Sequence, residues 1–336
     1  MCTIEAVTCQ TDGVLPSVRD LIEAAVVVAL PMTTRFRGIT VREALLLRAP
    51  NGWAEWSPFA EYEDAEASVW LRAAIEDGWG ERPSTGTTSV RVNATVPAVT
   101  PDAVPGILSR FPGTRTAKVK VAEPGGSLAD DLARVAAVRA AMGADARIRV
   151  DANGGWSLQD AEAAIRAIAP IGLEYAEQPC ATVPELAELR HRLDGLVLIA
   201  ADESVRKPED PLAVVRAGAA DILVLKPQPL GGAARALTIA ADAGLPVVAS
   251  SALETSVGLA AAVRFAAALP DHDLDHGLGT AALLAADVTR HSLLPMHGAI
   301  EVREVAPDDD LLRQFAAPPE RTTWWLARLA RCAALC

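Results

Sequence analysis

Residues 196–204, LVLIAADES, and 221–227, DILVLKP, are short apolar runs that end at a polar residue, Asp202 in the first and Lys226 in the second. Runs of this length without alternation read as strands buried on both faces, the habit of a parallel sheet covered by helices. Working outward, the pattern recurs as SVRVNATV (89–96), TAKVKVA (116–122), RIRVDAN (147–153), LEYAEQP (173–179), PVVASS (246–251) and, less regularly, HDLDHGLG (272–279). From Asp151 through Glu177, Asp202 and Lys226 to Ser250, the polar ends fall 24 to 26 residues apart, the length of one strand–helix unit. Helical segments fill the gaps: 127–143 opens on Ser127 and closes on Gly143, and 157–170 and 183–195 follow the same scheme.

Eight such strands predict an α/β fold, a TIM-type (β/α)7β barrel over 87–299, rather than an open doubly wound sheet. No G-x-G-x-x-G follows the first strand, and LGG (230–232) is too short and too late for a dinucleotide turn. Residues 1–86 read differently. FRGITVREALLLRA and GWAEWSPF look like strands and DAEASVWLRAAIEDG like a helix, which predicts an α+β capping domain over 1–86. The segment 300–336, with Pro318 and Pro319 leading into TTWWLARLARCAAL, is expected to return and complete it.

With 51% hydrophobic and 22% charged residues, the 336-residue chain has ordinary globular composition. A formal charge of -12 argues against nucleic acid or an anionic membrane surface as partner. It leaves room for a small-molecule carboxylate substrate, since a few cations in one cleft reverse the local potential. Cys2, Cys9, Cys180, Cys332 and Cys336 form no C-x-x-C, so reduced thiols are expected. The N-terminus has no basic segment followed by an apolar one, and the apolar stretch from Leu21 to Met32 is broken by Glu23 and Pro31. A cytoplasmic protein without a membrane span is expected.

The polar strand ends carry the chemistry. Asp151, Glu177 and Asp202 end three successive strands, at the face where barrel enzymes build their sites. Any one of them alone could cap the following helix. Three side by side call for a cation, and oxygen donors without nearby His or Cys select a hard ion: Mg²⁺, with Mn²⁺ able to substitute. Lys118 and Lys120 lie two apart on a strand, so both point to one face. If that face is interior, like-charge repulsion and burial are expected to depress their pKa and leave one as a neutral base; on a rim strand they would be solvated lysines. Lys226 arises four strands later, on the opposite wall, either as an electrostatic partner to a proton abstraction next to a carboxylate or as one half of a structural ion pair.

KVK (118–120), RVDANGGW (149–156), EYAEQP (174–179), ADES (201–204) and LKPQPLGG (225–232), in this order and spacing, resemble the enolase superfamily, of muconate-lactonizing-enzyme type. The resemblance covers essentially the whole chain. It implies Mg²⁺ ligands at Asp151, Glu177 and Asp202, a catalytic Lys120 supported by Lys118, and Lys226 facing them as a cation over the substrate. AKVKVAEPG (117–125), EQPCATVPELAELR (177–190), SSALETSVG (250–258) and HGLGT (276–280) look most like the branch that dehydrates 2-succinyl-6-hydroxy-2,4-cyclohexadiene-1-carboxylate on the route to menaquinone. Arg149 and Asn153, two residues either side of Asp151 on its face, are candidates to hold the ring or its carboxylate, or else to satisfy neighbouring carbonyls. Ser250, Ser251 and Gly277 are candidates for the succinyl carboxylate.

The same layout would also serve an N-succinylamino acid racemase or dipeptide epimerase, with Lys120 and Lys226 as bases on opposite faces. A barrel that only binds or scaffolds would be expected to have lost a ligand or a base. Pro227 departs from the pattern by removing a backbone donor beside Lys226. Asp273 and Asp275 have the D-x-D spacing of dipeptide epimerases but read as rim residues. PMTTRFRG (31–38) reads either as a closing loop, with Arg35 or Arg37 toward an anionic substrate, or as a solvated turn; Trp53, Trp56 and Phe59 read as core.

Overall fold

The structure, a computed structural model, describes residues 15–36, 38–206 and 210–336. Three antiparallel strands, β1 (Ala25–Phe36), β2 (Ile39–Ala49) and β3 (Gly52–Trp56), open the chain in the order β1-β2-β3. Leu45, Leu46 and Leu47 of β2 are all fully buried, so this sheet is covered on both faces. The helix Asp64–Trp79 follows. The C-terminal segment comes back to the same unit: Ala29 N–H donates to Phe315 O at 2.9 Å, and Trp325 of the helix Pro319–Ala333 stands edge-on to Trp56 at 5.3 Å.

The second half begins with β4 (Ser89–Arg91), which pairs with the late strand β12 (Ala299–Glu301). The main sheet is parallel and seven-stranded: β5 (Ala94–Val96), β6 (Thr116–Lys120), β7 (Arg147–Asp151), β8 (Leu173–Glu177), β9 (Leu198–Ala201), β10 (Ile222–Leu225) and β11 (Val247–Ala249), each bonded to its sequence neighbour. The intervening helices start where the sequence signals them. Ser127 and Asp130 form a reciprocal cap on Leu128–Met142, Thr182 and Glu185 another on Val183–Leu193, and Ser157 caps Leu158–Ile168.

Two strand expectations need correction. The run 89–96 divides into β4 and β5, and only β5 joins the parallel sheet. The run 272–279 forms no strand; it touches both edges of the sheet through single parallel bridges, His276 with Val92 and Gly277 with Ser250. Local side chains compete with the ladder there: His272 Nδ1 accepts the Leu274 N–H at 3.2 Å, and its other ring nitrogen meets Val247 O at 2.5 Å. The architecture is therefore a curled parallel sheet with an α+β unit against it. No helix among the described residues is long and apolar enough to cross a membrane. Cys180, Cys332 and Cys336 are free thiols; Cys2 and Cys9 lie outside the described residues.

Candidate active site

Register sets the site. Lys120 pairs with Asp151 across β6 and β7, and Asp151 with Glu177 across β7 and β8, so three ionisable side chains stand at one level on neighbouring strands. Glu177 pairs with Ala200 on β9, and Asp202 lies two residues further on, at the same end of the sheet. Lys226 follows β10, four strands along the ladder from β6.

Lys118 Nζ donates to Glu177 Oε1 at 2.7 Å and lies 3.1 Å from Asp151 Oδ2. Lys120 Nζ donates at 2.6 Å to both Asp151 Oδ2 and Asn153 Oδ1. Lys226 Nζ pairs with Asp202 Oδ2. All three carboxylates are at most 1% exposed. Burial would raise Asp151, but Lys120 and Lys118 hold its carboxyl well below the usual range. Burial and the neighbouring Asp151 charge push Glu177 up to about 7. Burial would raise Asp202 too, and Lys226 and Arg206 keep it low. For Lys118 the expected depression is reversed: burial acts downward, but Glu177 and Asp151 outweigh it and raise the ammonium well above its ordinary value.

These donors suit a hard divalent cation. Glu177 Oε2 and Asp202 Oδ1 are buried with no hydrogen-bond partner, a costly state for carboxylate oxygens that an ion between adjacent strand ends would relieve. The three carboxylates do not converge into a ready-made ligand set among the described residues. Ammonium groups lie between them: Lys118 bridges Asp151 and Glu177, and Lys226 holds Asp202.

The cleft above this cluster encloses about 570 Å³, including space open to solvent, and Lys118, Lys120, Asn153, Lys226, Ser250 and Ser251 are among its walls. Ser251 Oγ bonds Thr280 Oγ1 at 2.7 Å and Gly277 O at 3.1 Å. Gly277 lines the same wall, and a Cβ there would lie 2.9 Å from Ser250 Oγ. Arg149 does not reach the cleft. Two residues back along β7 puts it one layer deeper, fully buried, where it pairs with Glu174 and donates to Asp275 O at 2.6 Å. Asp273 and Asp275 sit at the far end of the sheet among Arg91, Arg115 and Arg147, and Asp275 is buried rather than on a rim.

From the capping unit, the Phe36 ring lies 5.5 Å from Lys120 Nζ, and Phe59 is both core and cleft wall. Arg35 is exposed, and Arg37 lies outside the described residues. Spacing alone overlooked Gln178 and Arg206. Gln178 Oε1 accepts Asp202 N–H at 3.0 Å and Ser204 N–H at 3.2 Å, and its place directly after Glu177 in EQP was the available signal. Arg206 donates to Glu203 Oε1 at 2.7 Å, which in turn accepts from Asn153 at 3.1 Å, linking the cleft wall to Lys120.

The model of enolase C-terminal domain-like proteins matches residues 110–307, and that of enolase N-terminal domain-like proteins matches residues 27–81. The chain belongs to the enolase superfamily. Superfamily relatives include the o-succinylbenzoate synthase of Mycobacterium ulcerans (strain Agy99), 54% identical over 93% of this chain and 94% of that protein. The o-succinylbenzoate synthase of Mycolicibacterium smegmatis (strain ATCC 700084 / mc(2)155) is 54% identical over 97% of this chain and 99% of that protein. Among solved superfamily structures, the muconate lactonizing enzyme of Pseudomonas fluorescens complexed with muconolactone superposes with a TM-score of 0.75. It is 21% identical and covers 87% of this chain and 98% of that one, a likeness of fold.

Proposed function

We propose that this chain catalyses the o-succinylbenzoate synthase reaction, the syn-dehydration of 2-succinyl-6-hydroxy-2,4-cyclohexadiene-1-carboxylate to 2-succinylbenzoate on the route to menaquinone. The observation that carries this reading is the 54% identity to mycobacterial o-succinylbenzoate synthases over at least 93% of the chain. The lysine–carboxylate cluster supports it.

In this reading Lys120, as the neutral amine, takes the proton next to the carboxylate. The bond from the ring to the departing hydroxyl breaks, a ring double bond forms, and the Lys120 ammonium returns the proton on the same face so that water leaves. Asp151 and Asn153 orient its Nζ. Lys118 adds positive charge behind the base, and Lys226 favours the anionic intermediate from another wall. Ser250, Ser251 and Gly277 receive the succinyl carboxylate. Asp151, Glu177 and Asp202 would hold Mg²⁺, or Mn²⁺ in its place, which when bound supplies positive charge to the carboxylate beside the reacting carbon.

The bridges at His276 and Gly277 support reading 87–299 as a closed (β/α)7β barrel, with 1–86 and 300–336 as its cap. A second reading, N-succinylamino acid racemisation, is favoured by one observation, that Lys120 and Lys226 line the same cleft from different strands. Dehydration of the cyclohexadiene assayed beside ²H exchange of N-succinylamino acids separates them. Dehydration with Mg²⁺ is expected; fast racemisation without dehydration reverses the assignment.

A further inference from the structure

β2 and β3 of the capping unit send two buried charged side chains into the loop after β11. Arg42, 2% exposed, donates from Nε to Leu253 O at 3.0 Å and from Nη2 to Ala252 O at 3.2 Å, and also holds Ser57 O. Its guanidinium lies 4.5 Å over the Phe59 ring. Glu55, 3% exposed, accepts from Thr255 N–H at 3.1 Å, Thr255 Oγ1 at 2.6 Å and Gly258 N–H at 3.0 Å, at the N-terminus of the helix Ser256–Ala268. A Cβ on residue 258 would lie 2.8 Å from Glu55 Cδ and 2.9 Å from Glu254 Cβ, so a larger residue there crowds both side chains.

Between these anchors the chain passes through Leu253 at φ 65, a left-handed conformation that disfavours a branched residue and persists only where its surroundings enforce it. Glu254, also buried, accepts the Ala252 N–H at 2.6 Å and tightens the same turn. Ser250, Ser251, Ala252 and Leu253 form one wall of the cleft. The side chains that fix this wall thus come from about 200 residues earlier in the chain.

We propose that Arg42 and Glu55 are positioning residues that clamp Ser250–Leu253 as the wall receiving the substrate's side-chain carboxylate. The identity of that carboxylate rests on the proposed function; the clamp does not. Arg42→Met releases the two carbonyls, Gly258→Ala displaces the Glu55 carboxylate and also presses on Glu254 of the same turn, and Arg42→Lys restores only part of the grip. A positioned charge-assisted hydrogen bond is worth about a factor of ten or more in binding.

Two readouts decide the matter: amide hydrogen exchange across residues 250–258, and steady-state kinetics of dehydration. In Arg42→Met and Gly258→Ala, exchange at 252–258 is expected to quicken about tenfold or more with the parallel strands unchanged. KM is expected to rise about tenfold with kcat held within about threefold, and Arg42→Lys to fall between. Unchanged exchange overturns the clamp. Faster exchange with unchanged KM, or a lower melting temperature alone, reduces both residues to structural ones and overturns the positioning role. A variant that fails to fold passes the decision to Arg42→Lys, for which wild-type exchange and KM overturn the proposal. Wild-type protein inactive on the cyclohexadiene overturns the proposed function and the carboxylate assignment, while exchange still decides the clamp.

Discussion

Lys118→Met removes the ammonium between two buried carboxylates while keeping a side chain of similar length. In the intact protein its Nζ is 2.7 Å from Glu177 Oε1 and 3.1 Å from Asp151 Oδ2, with both carboxylate side chains 1% exposed. At an effective dielectric of about 20, each contact is an attraction of about 5–6 kcal/mol before the cost of desolvating the lysine is set against it. Asp151 keeps Lys120 at 2.6 Å, so its loss is partial. Glu177 loses the most, because its Oε2 already has no hydrogen-bond partner and Oε1 loses its lysine. Breaking a buried pair in this way typically costs about 3–5 kcal/mol. Urea unfolding followed by tryptophan fluorescence in EDTA at about pH 9, above the value of about 7 for Glu177, is expected to show a loss of that size. The loss should shrink when Mg²⁺ is added, since a divalent cation at the same carboxylates takes over the compensation. A loss below about 1 kcal/mol in EDTA would refute the reasoning, because it would mean that the lysine does not balance the buried carboxylates.

Glu55 makes stability depend on pH. Burial, reinforced by Glu254, pushes its carboxyl up to about 7 against the downward pull of Ser57, Thr255 and Arg42. The folded value lies above the ordinary carboxyl value near 4.5, so the associated stabilisation is full below about pH 4.5 and fades as pH rises through about 7. Its size is about 3 kcal/mol, and the unfolding free energy of Glu55→Gln in urea is expected to vary that much less across this window; parallel profiles would rule the linkage out. Gly232→Ala is expected to lower the melting temperature, by about 2 kcal/mol or more in stability. Residue 232 sits at φ 134, and a Cβ there would lie 2.1 Å from Glu76 Oε2, displacing the carboxylate that accepts from Ala234 N–H at 3.0 Å at the start of the helix Ala233–Ala243. An unchanged melting curve would show that the loop yields without strain.

The sheet was legible in the sequence because strands buried on both faces lack alternation and their polar ends recur at nearly constant spacing. Runs 116–122, 147–153, 173–179, 196–204, 221–227 and 246–251 contain β6 through β11. The run 272–279 was misleading, because the His272 and Asp275 side chains hold that segment in place of a ladder. Same-face spacing put Lys118 and Lys120 on one side of β6, where both meet Asp151, but spacing along one strand carries no depth, so Arg149 emerged a layer below the cleft. The pKa direction of Lys118 was invisible from its own strand, since the deciding charges stand on β7 and β8. Arg42 and Glu55 left no local signal at all, because their partners lie about 200 residues away on another unit.

Lys120 as the proton-abstracting base of a cation-dependent dehydration is open to a direct test. The most direct measurement is turnover of 2-succinyl-6-hydroxy-2,4-cyclohexadiene-1-carboxylate by purified wild-type and Lys120→Ala proteins, each with Mg²⁺ and with EDTA. Aromatic product is expected from wild-type with Mg²⁺, none above background in EDTA, and a rate about 10²–10⁴-fold lower for Lys120→Ala with its fold intact. Near-wild-type dehydration by Lys120→Ala, or wild-type turnover unaffected by EDTA, would contradict it.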